Sequence, residues 1–276
     1  MLEDVGTLKR GINAWCFPGD FGTDAVLENA AKIGYDGVEL NLDEEGMNPF
    51  KMTEGGAASI RKRAEALGLK LPSLSTGLFW KYDLGNPERR IRERGAEIIR
   101  RGCRIAAEFG ARVLLVVPAV ASPTVTYAET WRLSKETILS AADDAEEAGV
   151  IIGVENVWNH FLYSPNEFKS FIGEIGHKYV RAYFDVGNCW QLGFPQQWIE
   201  MLGKEIACIH VKDYDNDALG FRPLLEGNVP WREVMGALRS AGYDYFLNVE
   251  VSPYRGDELK CAIDSKAALD ILLRMV

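Results

Sequence analysis

The sequence has few histidines, no paired cysteines and no long apolar run. Three histidines occur in 276 residues, and the five cysteines are scattered without C-x-x-C spacing. This odd, unclustered set argues against a disulfide framework or a cysteine-based zinc site and is typical of reduced thiols. Without a run of about 18 apolar residues, we expect no membrane span and no membrane partner. The N-terminus lacks the basic start and apolar stretch of a signal peptide, so we expect a cytoplasmic protein.

Acidic residues outnumber basic ones in this chain. Asp and Glu total 40 against 31 Lys and Arg, which gives a formal net charge of −9. An acidic surface repels a phosphate backbone, so we expect no nucleic-acid partner. A small anionic substrate remains compatible with this charge, because it needs only a local cationic pocket.

Short apolar runs alternate with segments of helical periodicity, and six of the helical segments end at a glycine just before the next strand. Eight such units, of about 35 residues each, predict an α/β fold: a single (β/α)8 TIM barrel that forms one domain over residues 1–276. A doubly wound open sheet is the structural alternative, but no G-x-G-x-x-G follows the first strand. We also expect one helix over 127–148 and a long loop over 213–230. The predicted strands are 10–15, 37–42, 69–76, 113–117, 150–155, 180–185, 206–212 and 245–251.

Four consecutive predicted strands end in side chains that can bind a metal: Glu155, Asp185, His210 and Glu250. In TIM barrels the carboxyl ends of the strands form the active-site face, so these residues would meet there. Three carboxylates this close would repel one another, and a divalent cation resolves that repulsion. Oxygen and imidazole ligands suit Mn²⁺, Mg²⁺, Co²⁺ or Zn²⁺. Taken singly, each carboxylate could instead cap a helix or form an ion pair, and His210 could be a hydrogen-bonded residue of the core.

The segments around these residues resemble the xylose isomerase-like TIM-barrel superfamily. They are Val154–Asn156 (VEN), Phe184–Asn188 (FDVGN), Ile209–Asp213 (IHVKD) and Val249–Val251 (VEV). Within the superfamily they are most similar to the sugar and sugar-phosphate isomerase/epimerase branch, which includes the L-xylulose-5-phosphate 3-epimerase and ketose 3-epimerase families. The resemblance covers essentially the whole chain. It implies a xylose isomerase-like barrel with one divalent metal ion held by the four residues.

The same resemblance implies the chemistry. The metal would stabilise a cis-enediolate formed from a ketose or ketose phosphate, with Glu155 and Glu250 as acid and base. Return of the proton to the same carbon gives epimerisation, and return to its neighbour gives isomerisation. The partner would be a small sugar or sugar phosphate, and relatives are often homo-oligomers.

Three positions depart from the ketose 3-epimerases that act on free sugars. Those enzymes have a histidine where this chain has Asn188 and an arginine where it has Asn216, and they have a glutamate where residues 158–162 offer no acid. These departures favour the phosphosugar-like branch.

Substrate contacts are expected near the predicted strand ends, where the metal would bind the sugar. A phosphate needs cationic or backbone donors near the last two strands. Hydrogen-bonding and aromatic side chains in the other carboxyl-side loops could contact the sugar. Several of these residues also fit solvated surface charges or loop packing. The substrate-binding candidates are Lys212, Asn188, His160, Arg222, Glu39 and Trp15.

Three other functions remain open. A lyase of the keto-inositol dehydratase type could use the same metal site, because the enediolate is shared. An endonuclease IV-like DNA repair enzyme on this barrel would need a trinuclear zinc site, for which three histidines are too few. A non-catalytic sugar-binding barrel is the last, and four aligned ligands argue against it.

Overall fold

A computed structural model describes residues 8–275 of the chain, in which ten strands and ten α-helices occur. The strands are β1 (Lys9–Asn13), β2 (Gly37–Leu42), β3 (Ser73–Thr76), β4 (Val113–Val116), β5 (Ile151–Glu155), β6 (Val180–Asp185), β7 (Ile206–Val211), β8 (Asp213–Asp215), β9 (Gly220–Arg222) and β10 (Phe246–Val249). The helices are α1 (Thr23–Ile33), α2 (Glu54–Ala66), α3 (Arg89–Phe109), α4 (Tyr127–Leu139), α5 (Ala142–Ala148), α6 (Pro165–Ile175), α7 (Val186–Trp190), α8 (Pro195–Leu202), α9 (Trp231–Ala241) and α10 (Glu258–Leu273).

Eight of the strands form a closed parallel barrel in the order β1-β2-β3-β4-β5-β6-β7-β10. This confirms the predicted (β/α)8 fold. The strands are almost entirely buried, as parallel strands covered by helices should be. The amphipathic helices pack their apolar sides on the barrel; in α3, for example, Ile98 and Phe109 are buried. Gly110 then ends α3 in the left-handed conformation, at a φ of 73°.

The first predicted strand is shorter than expected. It ends at Asn13, and Ala14–Cys16 forms a 3-10 turn. The Asn13 side chain accepts a hydrogen bond from the backbone N–H of Trp15 at 2.7 Å, which caps this turn and takes Trp15 out of the sheet. The third strand begins only at Ser73, after Pro72, which has no N–H to donate to a ladder.

The prediction of one helix over 127–148 was wrong, because α4 and α5 are separate. Arg100 donates a hydrogen bond to the carbonyl of Ser140 at 2.7 Å. A continuous helix would need that carbonyl for the N–H four residues later. The guanidinium on α3 therefore stabilises the break.

The predicted loop over 213–230 contains an antiparallel hairpin of β8 and β9. The buried carboxylate of Asp213 holds the rest of the loop against it. This carboxylate accepts hydrogen bonds from the backbone N–H groups of Leu225 and Val229 and from the indole of Trp231. A side chain at Gly227 would collide with Asp213, since its Cβ would lie 2.3 Å from Oδ1. The hairpin thus has a defined position over the carboxyl end of β7.

None of the helices in the described range is long and apolar enough to cross a membrane. All five cysteines are buried free thiols.

Candidate active site

The four side chains at the predicted strand ends converge. Asp185 and His210 are direct neighbours in the ladder of β6 and β7, Glu155 ends β5, and Glu250 follows β10. Each offers one ligand atom, and these atoms all lie within 4.8 Å of one another. The Nδ1 atom of His210 is 3.6 Å from Glu155 Oε1, 3.8 Å from Asp185 Oδ2 and 3.7 Å from Glu250 Oε2. We call these four residues the quartet.

The quartet fits a divalent cation. His210 Nδ1 is buried and has no hydrogen-bond partner within residues 8–275, which is unusual for a buried polar atom. Its distances to the carboxylates are too long for hydrogen bonds. They suit donors that share one ion, because ligand atoms about 2.0–2.2 Å from a metal lie roughly 3–4 Å apart. Three carboxylates and one imidazole match the ligand preferences of Mn²⁺, Mg²⁺, Co²⁺ and Zn²⁺.

The opposite ring nitrogen of His210 contacts Glu39. The Nε2 atom lies 2.5 Å from Glu39 Oε1, and both side chains are fully buried. With Nε2–H donating to a carboxylate, Nδ1 is the ring nitrogen that faces the quartet, and it could bind a metal ion once it has lost its proton. Glu39 therefore sets the orientation and the tautomer of the ring.

Several side-chain donors inside the barrel bind the Glu39 carboxylate. It also accepts hydrogen bonds from Asn13 Nδ2 at 2.6 Å and from the hydroxyls of Ser73 and Tyr183, each at 2.5 Å. Burial opposes its ionisation, but the charge of His210 and these donors outweigh burial and lower the pKa of Glu39. A fixed negative charge therefore lies directly beneath the quartet.

Asp185 is fixed by the segments that follow β5 and β6. The Asn156 side chain accepts from the Asp185 backbone N–H and donates to its carbonyl, both at 2.8 Å. Asp185 Oδ1 accepts from the backbone N–H of Asn188 at 2.7 Å and caps α7. The Asn188 amide in turn donates to the carbonyl of Asn156. These bonds leave Asp185 Oδ2 facing the quartet.

Lys212 brings a cation to the same oxygens. Its Nζ lies 2.5 Å from both Asp185 Oδ2 and Glu250 Oε2. Gly187 makes room for this side chain, because a Cβ there would lie 2.5 Å from Lys212 Cγ. This contact explains the glycine of the FDVGN segment.

Burial and neighbouring charges shift the pKa values of the three quartet carboxylates in different directions. Burial raises the pKa of Glu155 to about 7, and the carboxylates of Glu250 and Asp185 act in the same direction. Burial also raises the pKa of Asp185, although Lys212 opposes this. For Glu250, attraction to Lys212 and His210 exceeds the effect of burial and lowers the pKa. Burial thus favours the protonated forms of Glu155 and Asp185, whereas the neighbouring cations favour the ionised form of Glu250.

A cavity of about 440 Å³ opens beside Glu250 and Lys212. Trp15 and Arg222 line it together with Phe221, which stacks on Trp158 with ring centroids 4.7 Å apart. Since Phe221 and Arg222 belong to β9, the hairpin forms one wall of this cavity.

The predicted substrate contacts therefore separate into two groups. Trp15, Lys212 and Arg222 lie on the cavity beside Glu250. Glu39 is fully buried beneath His210, and the buried amide of Asn188 contacts Asn156. His160 is exposed in the loop after β5, and its backbone N–H donates to the hydroxyl of Tyr163.

Several residues that shape the site were missed by sequence reasoning. Asn156 directly follows a proposed ligand at the end of β5. From that position its side-chain amide can form hydrogen bonds with the backbone of the neighbouring strand. Tyr183 and Ser73 are polar side chains inside buried strands, which is the signal for an internal hydrogen-bond network.

Known proteins resemble this chain over most of its length. The model of the family described as xylose isomerase-like TIM barrel matches residues 27–271. The L-ribulose-5-phosphate 3-epimerase UlaE of Escherichia coli is 22% identical over 221 residues, which cover 79% of this chain and 78% of that protein.

Two solved structures superpose over nearly the full length. An L-ribulose 3-epimerase gives a TM-score of 0.82 at 20% identity and covers 97% of this chain and 95% of its own. A D-psicose 3-epimerase from Clostridium cellulolyticum H10, solved with D-tagatose, gives a TM-score of 0.81 at 19% identity. This superposition covers 96% of this chain and 98% of the other. At these identities the superpositions establish the fold.

Proposed function

Because the chain belongs to the xylose isomerase-like TIM barrel family, we propose that it is a single-domain, divalent-metal-dependent 3-epimerase of a ketose or ketose phosphate. The observation that carries this proposal is the quartet. Its three carboxylates surround a buried, unpartnered imidazole nitrogen at the carboxyl face of the barrel. The names of the relatives, which are 3-epimerases of ketoses and of a ketose phosphate, support the substrate class.

The quartet would hold the metal ion, and two of its members would also move protons. A divalent ion bound there supplies a Lewis acid that acidifies the C–H bond next to the sugar carbonyl. Glu155, on one side of the quartet, would take or return that proton. Glu250, on the other side of the quartet, would serve the reverse role.

The positions of the two glutamates suit inversion at a carbon atom. β6 and β7 separate β5 from β10 around the barrel, so Glu155 and Glu250 approach the site from different sides. Removal of a proton by one and its return by the other on the opposite face inverts the carbon.

The cavity would bind the rest of the sugar. Trp15 and Phe221 offer aromatic surface, while Lys212 and Arg222 offer cationic donors for hydroxyl or phosphate oxygens. This arrangement accommodates a free ketose and a ketose phosphate.

Deuterated water tests the reaction. Ketoses, ketose phosphates and inosose are incubated with the metal-loaded protein in D₂O and followed by NMR and mass spectrometry. Deuterium at C3 with formation of the epimer supports the proposal. Loss of water supports the dehydratase alternative, and an aldose product indicates isomerisation. If no substrate of these classes exchanges a proton while the protein holds metal, the proposed function is wrong.

A further inference from the structure

Lys212 contacts the same two oxygen atoms that face His210 across the quartet. Asp185 Oδ2 and Glu250 Oε2 each lie 2.5 Å from Lys212 Nζ, and they lie 3.8 and 3.7 Å from His210 Nδ1. Apart from His210 itself, Lys212 is the only cationic side chain in the described range that forms an ion pair with the quartet. Its ammonium is thus a positive charge that pairs with both of these carboxylates in the metal-free protein.

The surroundings hold the ammonium in that position. The side chain is almost fully buried, and its stem passes over Gly187. Without a cation, buried carboxylates only a few ångströms apart are strongly unfavourable. A divalent ion and the ammonium would compete for the same two oxygens, since cations at this separation repel each other strongly in a buried site.

The cavity provides the direction in which the ammonium can move. Lys212 lines it, and the Phe221 ring lies 5.2 Å from Nζ, within reach of a cation–π contact. An ammonium has three donors, and two of them are engaged by the carboxylates. Release from Asp185 and Glu250 would therefore present donors to an oxygen of a molecule bound in the cavity.

On the basis of the proposed metal-dependent function, we propose that Lys212 is an exchangeable counter-ion of the quartet. Its ammonium binds Asp185 and Glu250 until a divalent cation takes their oxygens. It then turns into the cavity, where it donates to an oxygen of the sugar. Metal loading and substrate recognition are coupled through this one side chain.

Metal titration tests the competition. Mn²⁺ is titrated calorimetrically into the metal-free wild type and into Lys212→Met and Lys212→Gln at pH 8. We expect both variants to bind Mn²⁺ about tenfold or more tightly than the wild type, because a competing positive charge is gone. Arg222→Met is the matched control: it removes one positive charge from the same cavity without touching the quartet, and its affinity should change by less than about twofold.

Amine labelling tests the movement. Wild-type protein with and without Mn²⁺ is pulsed with acetic anhydride, and acetylation is measured by mass spectrometry. Labelling of Lys212 should rise several-fold with Mn²⁺, while labelling of Lys81 on the surface should stay constant. The inference is overturned if wild type binds Mn²⁺ but either the Lys212 variants show no gain in affinity or the labelling of Lys212 does not rise. Failure of the wild type to bind any divalent ion would instead refute the metal site itself.

Discussion

Glu39 and His210 are 171 positions apart in the chain, yet their side chains meet at 2.5 Å in the fully buried interior of the barrel. The carboxylate accepts from Nε2, so the other ring nitrogen is available at the centre of the quartet. Such carboxylate–histidine pairs orient metal ligands and raise their basicity. The proposed metal centre therefore extends one layer deeper into the barrel than its four candidate ligands.

Glu39→Gln should weaken metal binding by about 10- to 100-fold. The amide keeps one acceptor oxygen, whereas the carboxylate serves four donors with two. Calorimetric titration with Mn²⁺ measures the effect, and circular dichroism verifies the fold. Glu44→Gln is the control, because that exposed carboxylate pairs with Lys81 at the surface. Equal affinities of Glu39→Gln and wild type would contradict the assigned role.

Glu155→Gln should slow the exchange of the substrate proton by about 10²- to 10⁴-fold, the usual contribution of a general acid or base. The glutamine preserves the shape of the side chain but cannot accept the proton. The measurement is deuterium incorporation at saturating metal, so that weaker metal binding does not account for the loss. Exposed Glu147, changed in the same way, serves as a control. Exchange at the wild-type rate would exclude Glu155 from proton transfer.

Metal affinity should rise with pH through about 7. The pKa of Glu155 is raised to about 7 chiefly by burial, and a proton on this carboxylate competes with the metal. Below pH 7 the affinity should fall by up to about tenfold per pH unit from this group alone. Titrations with Mn²⁺ between pH 5.5 and 8 measure the slope.

The same shift affects the stability of the metal-free protein with the opposite sign. The folded-state pKa of Glu155 lies above its unfolded value, so its contribution to stability is present at low pH and is lost as the pH rises through about 7. Urea unfolding with and without a chelator separates the two effects. In the Mn²⁺ titrations, a metal affinity that does not change between pH 5.5 and 8 would contradict the raised pKa, because Glu155 would then be ionised throughout.

Asp213→Ala should destabilise the protein by about 2–5 kcal/mol, since the indole of Trp231 and the N–H groups of Leu225 and Val229 would lose their buried acceptor. The loosened hairpin should also raise KM, because β9 carries Phe221 and Arg222 to the cavity. Urea unfolding and steady-state kinetics measure the two effects. Asp217→Ala, an exposed change in the same hairpin, should leave stability within about 0.5 kcal/mol of wild type.

Some of the site is determined by local sequence. A buried parallel strand reads as an apolar run, and the barrel places every strand end on one face, so Glu155, Asp185, His210 and Glu250 could be grouped without coordinates. The fold followed from the alternation of apolar runs and helical segments, and the family resemblance followed from the segments around these four residues. Local signals also located most strands to within one or two residues.

Other features depend on contacts between residues far apart in the chain. The break between α4 and α5 depends on Arg100, which lies on another helix. The position of the hairpin depends on hydrogen bonds to the buried carboxylate of Asp213. Neither is visible in the periodicity of the segment itself, because periodicity reports burial of a face and not the partners of a carbonyl or carboxylate.

The sequence by itself determined which residues reach the carboxyl rim of the barrel, since strand period and strand end are local properties. Only the tertiary structure decided what they contact there. The register of β2 beside β1 places Glu39 under His210 and away from the cavity. The fold also places Lys212 between Asp185 and Glu250. These partners are set by three-dimensional proximity of charges in a low-dielectric interior, which no linear spacing encodes.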